Sequence, residues 1–187
     1  SAIKGMGASA ADSIVRERME NGPYKDIYDF AERVDLSNVN RKAFESLAYS
    51  GGFDSFGLQR EQYFAVTAKG DLFLDTIVRY GQLFQAEKAQ QQNSLFGGMD
   101  AIDVVHPIAP KAEKWPTIEK LNKERELVGI YLSAHPLDEY SVVLNNMCNT
   151  RCSMIGRNAN MTELAKADEV TFGGIVTSVN ERFSQKT

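Results

Sequence analysis

Apolar residues recur at helical spacing through most of the chain and change to alternation only near its end. A helix is predicted over 8–20, with Ile14 and Val15 on one side and Arg16, Glu17 and Arg18 largely solvated; Asn21-Gly22-Pro23 is a stop signal. A second is predicted over 26–34, where Ile27, Phe30, Ala31 and Val34 share a face. Asn40 is a good N-cap for a third over 41–49, bearing Phe44, Leu47 and Ala48 and closed by Ser50-Gly51-Gly52. Further helices are predicted over 58–68 and 71–89, the latter carrying Leu72, Phe73, Ile77, Leu83 and Phe84. Residues 90–110, rich in Gln, Gly and Pro, read as a linker whose length implies a task. Thr117 is positioned to cap a helix over 118–132 with Ile118, Leu121, Val128 and Leu132 as its stripe. After Pro136 a shorter helix is expected over 138–144.

From Asp168 the pattern changes. Val170, Phe172, Gly174 and Val176 alternate with their neighbours, and Val179 continues the pattern, which reads as strand. One strand cannot satisfy its own edges, so the expectation is a β domain of which this chain holds only the opening.

Composition narrows the classes. Apolar residues make up 43 % and charged residues 25 %, an ordinary globular balance with enough material for a core. The net charge of −4 and the lack of any basic arm exclude binding to nucleic acid through a large positive field. Such contact must rest on geometry and a few cations. No apolar run reaches membrane-spanning length and no leader is visible, so a cytoplasmic setting is expected. Cys148 and Cys152 make no disulfide framework, and with His106 and His135 they are a poor zinc set. His135 reads as a helix-terminal residue, and Asp71 and Asp75 as carboxylates on a solvated face. No nucleophile elbow, P-loop or zinc-hydrolase motif is present, so no catalytic centre is expected.

Two short motifs carry candidate chemistry. Ile3-Lys4-Gly5-Met6-Gly7 runs straight into a helix. Glycines admit positive φ and remove Cβ atoms, so the backbone can lie against a phosphate, and the following helix offers free N–H groups and its positive dipole end. Lys4 adds a point charge, and the carbonyls of the turn can hold a monovalent cation. The expected DNA-backbone contacts are Lys4, Gly5, Met6, Gly7 and Ala8. A plain glycine turn that starts a helix is the other reading. The second motif is Gln92-Asn93-Ser94-Leu95-Phe96, an apolar pair in a polar, glycine-flanked setting. Such pairs suit insertion into a partner's pocket, or fold back on their own core.

In order along the chain, the Gly5/Gly7 turn, Ile27-Tyr28-Asp29-Phe30 with Arg33, Val39-Asn40-Arg41, Gly51-Gly52-Phe53-Asp54, residues 92–96, the block from Glu124 to Leu132 and His135-Pro136-Leu137 resemble the C-terminal portion of the catalytic α subunits of bacterial replicative DNA polymerase III. The resemblance implies a mainly α fold. It would comprise a tandem helix-hairpin-helix DNA-binding domain over 1–89 with its first hairpin truncated, and a linker over 90–116. A helical connector over 117–167 and the first strand or strands of a truncated OB-type barrel over 168–187 would follow. It also implies duplex DNA, the sliding clamp (the β subunit, held through residues 92–96) and other replisome subunits as partners, in a nucleoid-associated replisome. The polymerase carboxylates would lie outside these residues, so no polymerase activity and no cofactor are expected, apart from the monovalent cation. A DNA-binding part of a repair enzyme and a helical connector without binding of its own are the rival readings.

Overall fold

The computed structural model describes residues 3–93, 104–151, 169–176 and 179–181. They fall into two compact units, Ser1–Ser133 and Ala134–Thr187. The first unit contains helices α1 (Ala8–Asn21), α2 (Ile27–Arg33), α3 (Arg41–Ser50), α4 (Arg60–Tyr63), α5 (Phe73–Asn93) and α6 (Thr117–Val128). The second contains α7 (Ser141–Met147).

The core of the first unit is the one the apolar spacing predicts. Ile27, Phe30, Ala31, Val34, Phe44 and Ala48 are all buried. Phe30 is its centre, meeting Tyr24, Phe44 and Phe53 edge-on at centroid distances of 4.8, 5.2 and 5.0 Å. Asn40 caps α3 as expected, while Asp26 and Val34, expected as the ends of their helix, flank α2 as its N-cap and C-cap. The Asp26 carboxylate accepts from the amides of Tyr28 and Asp29 at the start of α2, and the Asn40 side chain accepts from Ala43 N at the start of α3. α1 and α2 are tied by Arg33, whose guanidinium donates to the Gly22 carbonyl at 2.8 Å and the Pro23 carbonyl at 3.3 Å. It also pairs with Glu17 and Asp29 at 3.0 and 2.9 Å. The carbonyls where α1 ends thus find a cationic donor. α5 crosses α2 at Gly81, where an added Cβ would come within 2.6 Å of the Ala31 carbonyl oxygen.

Three predicted helices take other bounds. The helix expected over 58–68 is only the single turn of α4. Beyond it Phe73 N donates to Ala65 O and Thr67 N to Asp71 O, around an isolated antiparallel bridge between Val66 and Leu72. These cross-loop bonds use the Thr67 amide and the Ala65 carbonyl, which a longer helix would have needed. α5 runs on to Asn93, so the polar residues expected to begin the linker extend a helix instead. α6 stops at Gly129, with Pro116 and not Thr117 as its N-cap. Of its expected stripe, Leu121 is fully buried, while Ile118 and Leu132 are exposed. The described residues at the end of the expected linker lie on the first unit: Tyr28 Oη donates to the Pro107 carbonyl at 2.6 Å, Gln62 Nε2 donates to that of Pro110 at 2.9 Å, and His106 stacks on Tyr28. α6 belongs to this same unit and packs on α3.

In the second unit a 3-10 turn, Asp138–Tyr140, precedes α7 where one helix was expected. His135 does not end a helix. It heads this turn, its amide donating to Asp138 and its Nδ1 accepting from Leu137 N. The strand expected from Val170 is not formed among the described residues. Thr171 pairs instead with Asn149: the Asn149 and Thr150 amides donate to Thr171 O, and Thr171 N donates to the Asn149 side chain. A side-chain amide takes a place that a partner strand would fill. Phe172, Val176 and Val179 are left exposed.

Candidate nucleic-acid interface

The glycine turn forms a tight bend. Met6 N donates to Ile3 O at 3.2 Å, and Gly5 holds φ at +89°. The bend is docked on both sides. Lys4 N donates to the Leu127 carbonyl of α6 at 2.8 Å. Ser46 Oγ of α3 donates to the Lys4 carbonyl at 3.2 Å. A Cβ on Gly5 would meet Ser46 Oγ at 2.8 Å, so the absent side chain is what allows the approach. Gly7 then caps α1 with an extended backbone and no side-chain bond. The first amides of α1 therefore lack intrahelical and side-chain acceptors, and the first turn holds no acidic residue to compete for them.

Of the five residues expected at this site, Lys4, Gly5, Gly7 and Ala8 are exposed, whereas Met6 packs against the core and anchors the bend. The Ile3, Lys4 and Gly7 carbonyls already accept from Met6 N, Ser46 Oγ and Ala11 N. A monovalent cation would therefore rely first on the carbonyls of Gly5 and Met6. The second turn, between α2 and α3, differs in kind. Its residues 35–40 contain no glycine, and the Asp35 carboxylate accepts from Ser37 and Asn38. Those bonds hold the Asp35 carboxyl below its ordinary value, leaving an anion where a phosphate would have to approach.

Sequence reasoning missed the surroundings of the bend. Lys42 and Tyr49 of α3 and Lys123 of α6 line an open cleft of about 370 Å³ together with Lys4 and Gly5. On α3, Lys42 and Tyr49 stand two turns apart on one face, which was legible. Nothing in the local pattern says that α6 lies beside them.

Gln92 and Asn93 of the second motif close α5, while Ser94, Leu95 and Phe96 lie outside the described residues. Asp71 pairs with Arg79 at 3.0 Å and Asp75 with Arg41 at 2.6 Å, so these carboxylates serve separate ion pairs. Among the described residues no cluster of His, Cys, Asp and Glu could hold a metal ion, and no helix is long and apolar enough to cross a membrane.

A family model for the helix-hairpin-helix motif matches residues 1–63, the stretch from the glycine bend through α4. Over nearly its whole length the chain is also similar to DNA polymerase III subunit alpha of Xylella fastidiosa, at 32 % identity over 97 % of this chain and 16 % of the relative. The chain belongs to the DNA polymerase III alpha-subunit family. The alpha subunit of Caulobacter vibrioides is 32 % identical over 98 % of this chain and 15 % of its own length, and that of Haemophilus influenzae 35 % over 84 % and 13 %. The chain thus spans about one-sixth, or less, of the curated alpha subunits it matches.

Within this alpha-subunit segment, the block from Glu124 to Leu132 opens on a buried anchor while most of its other side chains are exposed. Glu124 is fully buried on α6 and takes the Arg60 guanidinium at 2.7 Å. It also accepts from the amides of Leu132 and Ser133 at 2.8 and 3.0 Å and from Ser133 Oγ at 2.6 Å. Arg60 in turn donates from Nε to Asp54 at 2.8 Å. Burial by itself would raise the Glu124 carboxyl, but the bonds from Ser133, Arg60 and Leu132 outweigh it and hold the group below its ordinary value. α6 is thereby fixed to the body that carries the glycine bend.

Proposed function

We propose that this segment is the part of a replicative DNA polymerase that grips duplex DNA without reading its sequence and tethers the enzyme to its sliding clamp. The observation that carries the first half is the bend at Gly5, docked on α3 and α6 and leading into an N-terminus of α1 with no side-chain cap. Backbone amides and one lysine presented this way suit phosphate oxygens, which position a protein on DNA but carry no sequence information. A monovalent cation on the carbonyls of Gly5 and Met6 would supplement them.

The tether is assigned to Gln92, Asn93, Ser94, Leu95 and Phe96 by their resemblance to clamp-binding peptides. Leu95 and Phe96 would fill an apolar pocket on the clamp and Gln92 would fix the register at its edge. Two modest contacts on one body then act together through effective concentration. In this reading the segment adds grip and processivity and contributes no catalytic carboxylate. Residues 168–187 then belong to an OB-type domain, and the site of action is the replisome.

The test of the grip is fluorescence anisotropy of labelled duplexes of unrelated sequence against salt. Similar affinities for all of them, falling with salt, are expected. No binding, or a strong preference for one sequence, overturns the reading.

A further inference from the structure

The bend is only one wall of its cleft, and the geometry points to a phosphodiester track beyond it, in which Lys42 of α3 and Lys123 of α6 bind the nucleic-acid backbone beside Lys4. The inference rests on the duplex grip proposed above and extends it to residues outside the hairpin. The three lysines come from three distant parts of the chain and line one open cleft. The Lys42 side chain passes the bend closely, its Cε lying 3.3 Å from where a Cβ on Gly5 would stand. Lys123 is held in place: its ammonium sits 4.8 Å over the Tyr49 ring. That ring is itself stacked on Phe64 at 3.8 Å and against Trp115 at 5.7 Å. A cation pre-positioned on a rigid ring loses less freedom on binding than a free lysine does.

The cleft also holds Glu45 and Glu126. Glu45 is engaged by Arg41 at 2.9 Å, and Arg41 is also held by Asp75. Glu126 is exposed and has no ion pair among the described residues. The balance is three ammonium groups against Glu126, which has no counter-ion among the described residues, and Glu45, whose cation is shared with Asp75. That is enough to neutralise one or two phosphates but not to build a broad positive field, in keeping with the net charge of −4.

The test is the salt dependence of duplex binding by the whole chain with Lys42→Ala, Lys123→Ala and, as a remote control, Lys88→Ala. Each cleft variant should bind severalfold more weakly and lower the slope of log affinity against log salt by about one, because one phosphate fewer is neutralised and its counter-ion stays on the DNA. Glu126→Gln should tighten binding, and Lys88→Ala should leave the slope as it is. Lys42→Arg and Lys123→Arg should keep the slope and so separate removal of charge from a disturbed fold. Wild-type binding with slopes unchanged in both alanine variants would overturn the track and leave the duplex grip standing. Absence of binding by the wild type would overturn both.

Discussion

The amide of Lys4 donates to the carbonyl of Leu127 across 2.8 Å, so the glycine bend near the start of the chain hangs on the last turn of α6. Leu127 lies one turn from Glu124, and Glu124 is bound to Arg60 and to the amides that follow α6. A buried carboxylate, a helix and a candidate phosphate site therefore form one mechanical series.

The bend should fail when Gly5 gains a side chain. Gly5→Val puts a β-branched residue at φ +89° and within 2.8 Å of Ser46 Oγ. A local cost of about 1–3 kcal/mol is expected for such a conformation. Hydrogen exchange at the Lys4 amide should speed up by about fivefold or more, since about 1.4 kcal/mol is a factor of ten, and duplex affinity should fall. Exchange at the Phe44 amide, in the core, should change much less.

Removing Glu124 should be among the most damaging single changes. Glu124→Ala leaves Arg60 with Asp54 as its one remaining carboxylate partner and strands the Leu132 and Ser133 amides, so a loss of about 3–5 kcal/mol is expected in urea unfolding. A double replacement, Glu124→Leu with Arg60→Met, removes both charges but still leaves those two amides unserved. Its recovery should therefore be incomplete. Full recovery in the double variant would show that the ion pair, and not the loop, is what Glu124 serves.

Stability should fall at both ends of the pH scale for separate reasons. The Glu124 carboxyl is held below its ordinary value of 4.5 in the folded chain. The unfolded chain takes up that proton first, so the stabilisation is present above 4.5 and is lost as pH drops below it. Burial, with the Glu17 charge adding to it, pushes the Tyr24 hydroxyl up to about 12. The folded chain keeps that proton after the unfolded chain loses it near 10, so stability should decline as pH rises from 10 towards 12. Urea midpoints across pH check both limbs, and Glu124→Gln should flatten only the acid one.

Gly81 should tolerate no larger residue. Gly81→Ala places a methyl 2.6 Å from the Ala31 carbonyl oxygen, which is backbone and cannot swing away. α2 and α5 must part, at a cost of about 1–3 kcal/mol. A thermal scan reads this as a lowered midpoint, and an unchanged midpoint would mean that the two helices are not held as close as described.

The tether is tested by capture on immobilised cognate clamp. Leu95→Ala with Phe96→Ala should abolish capture and leave duplex affinity as it was. If capture survives the pair, residues 92–96 are not the tether.

The helices and core of α2 and α3 were legible because each rests on local rules. Asp26 and Asn40 cap from the preceding residue, and Ile27, Phe30, Ala31 and Phe44 sit at helical spacing on faces wide enough to bury. The glycine bend was legible for the same reason, since Gly5 holds a positive φ that other residues avoid, whereas Gly7 keeps an extended backbone open to any residue. Where the local pattern misled, contacts distant in sequence were stronger. The run after α4 turned back because Ala65 and Thr67 found partners across a loop, and α6 ended at Gly129 so that residues 132–133 could reach Glu124.

Taken alone, the sequence determined the helical class, the identity of most core positions and the glycine bend, because periodicity, caps and turn chemistry act over a few residues. Only the tertiary structure decided that Met6 faces inward, that Glu124 is a buried anchor and not a solvated charge, and that Lys42 and Lys123 stand beside Lys4. Those outcomes depend on how α6 packs against α3. That packing is set by a buried ion pair and an aromatic stack whose members lie far apart along the chain and leave no periodic trace in it.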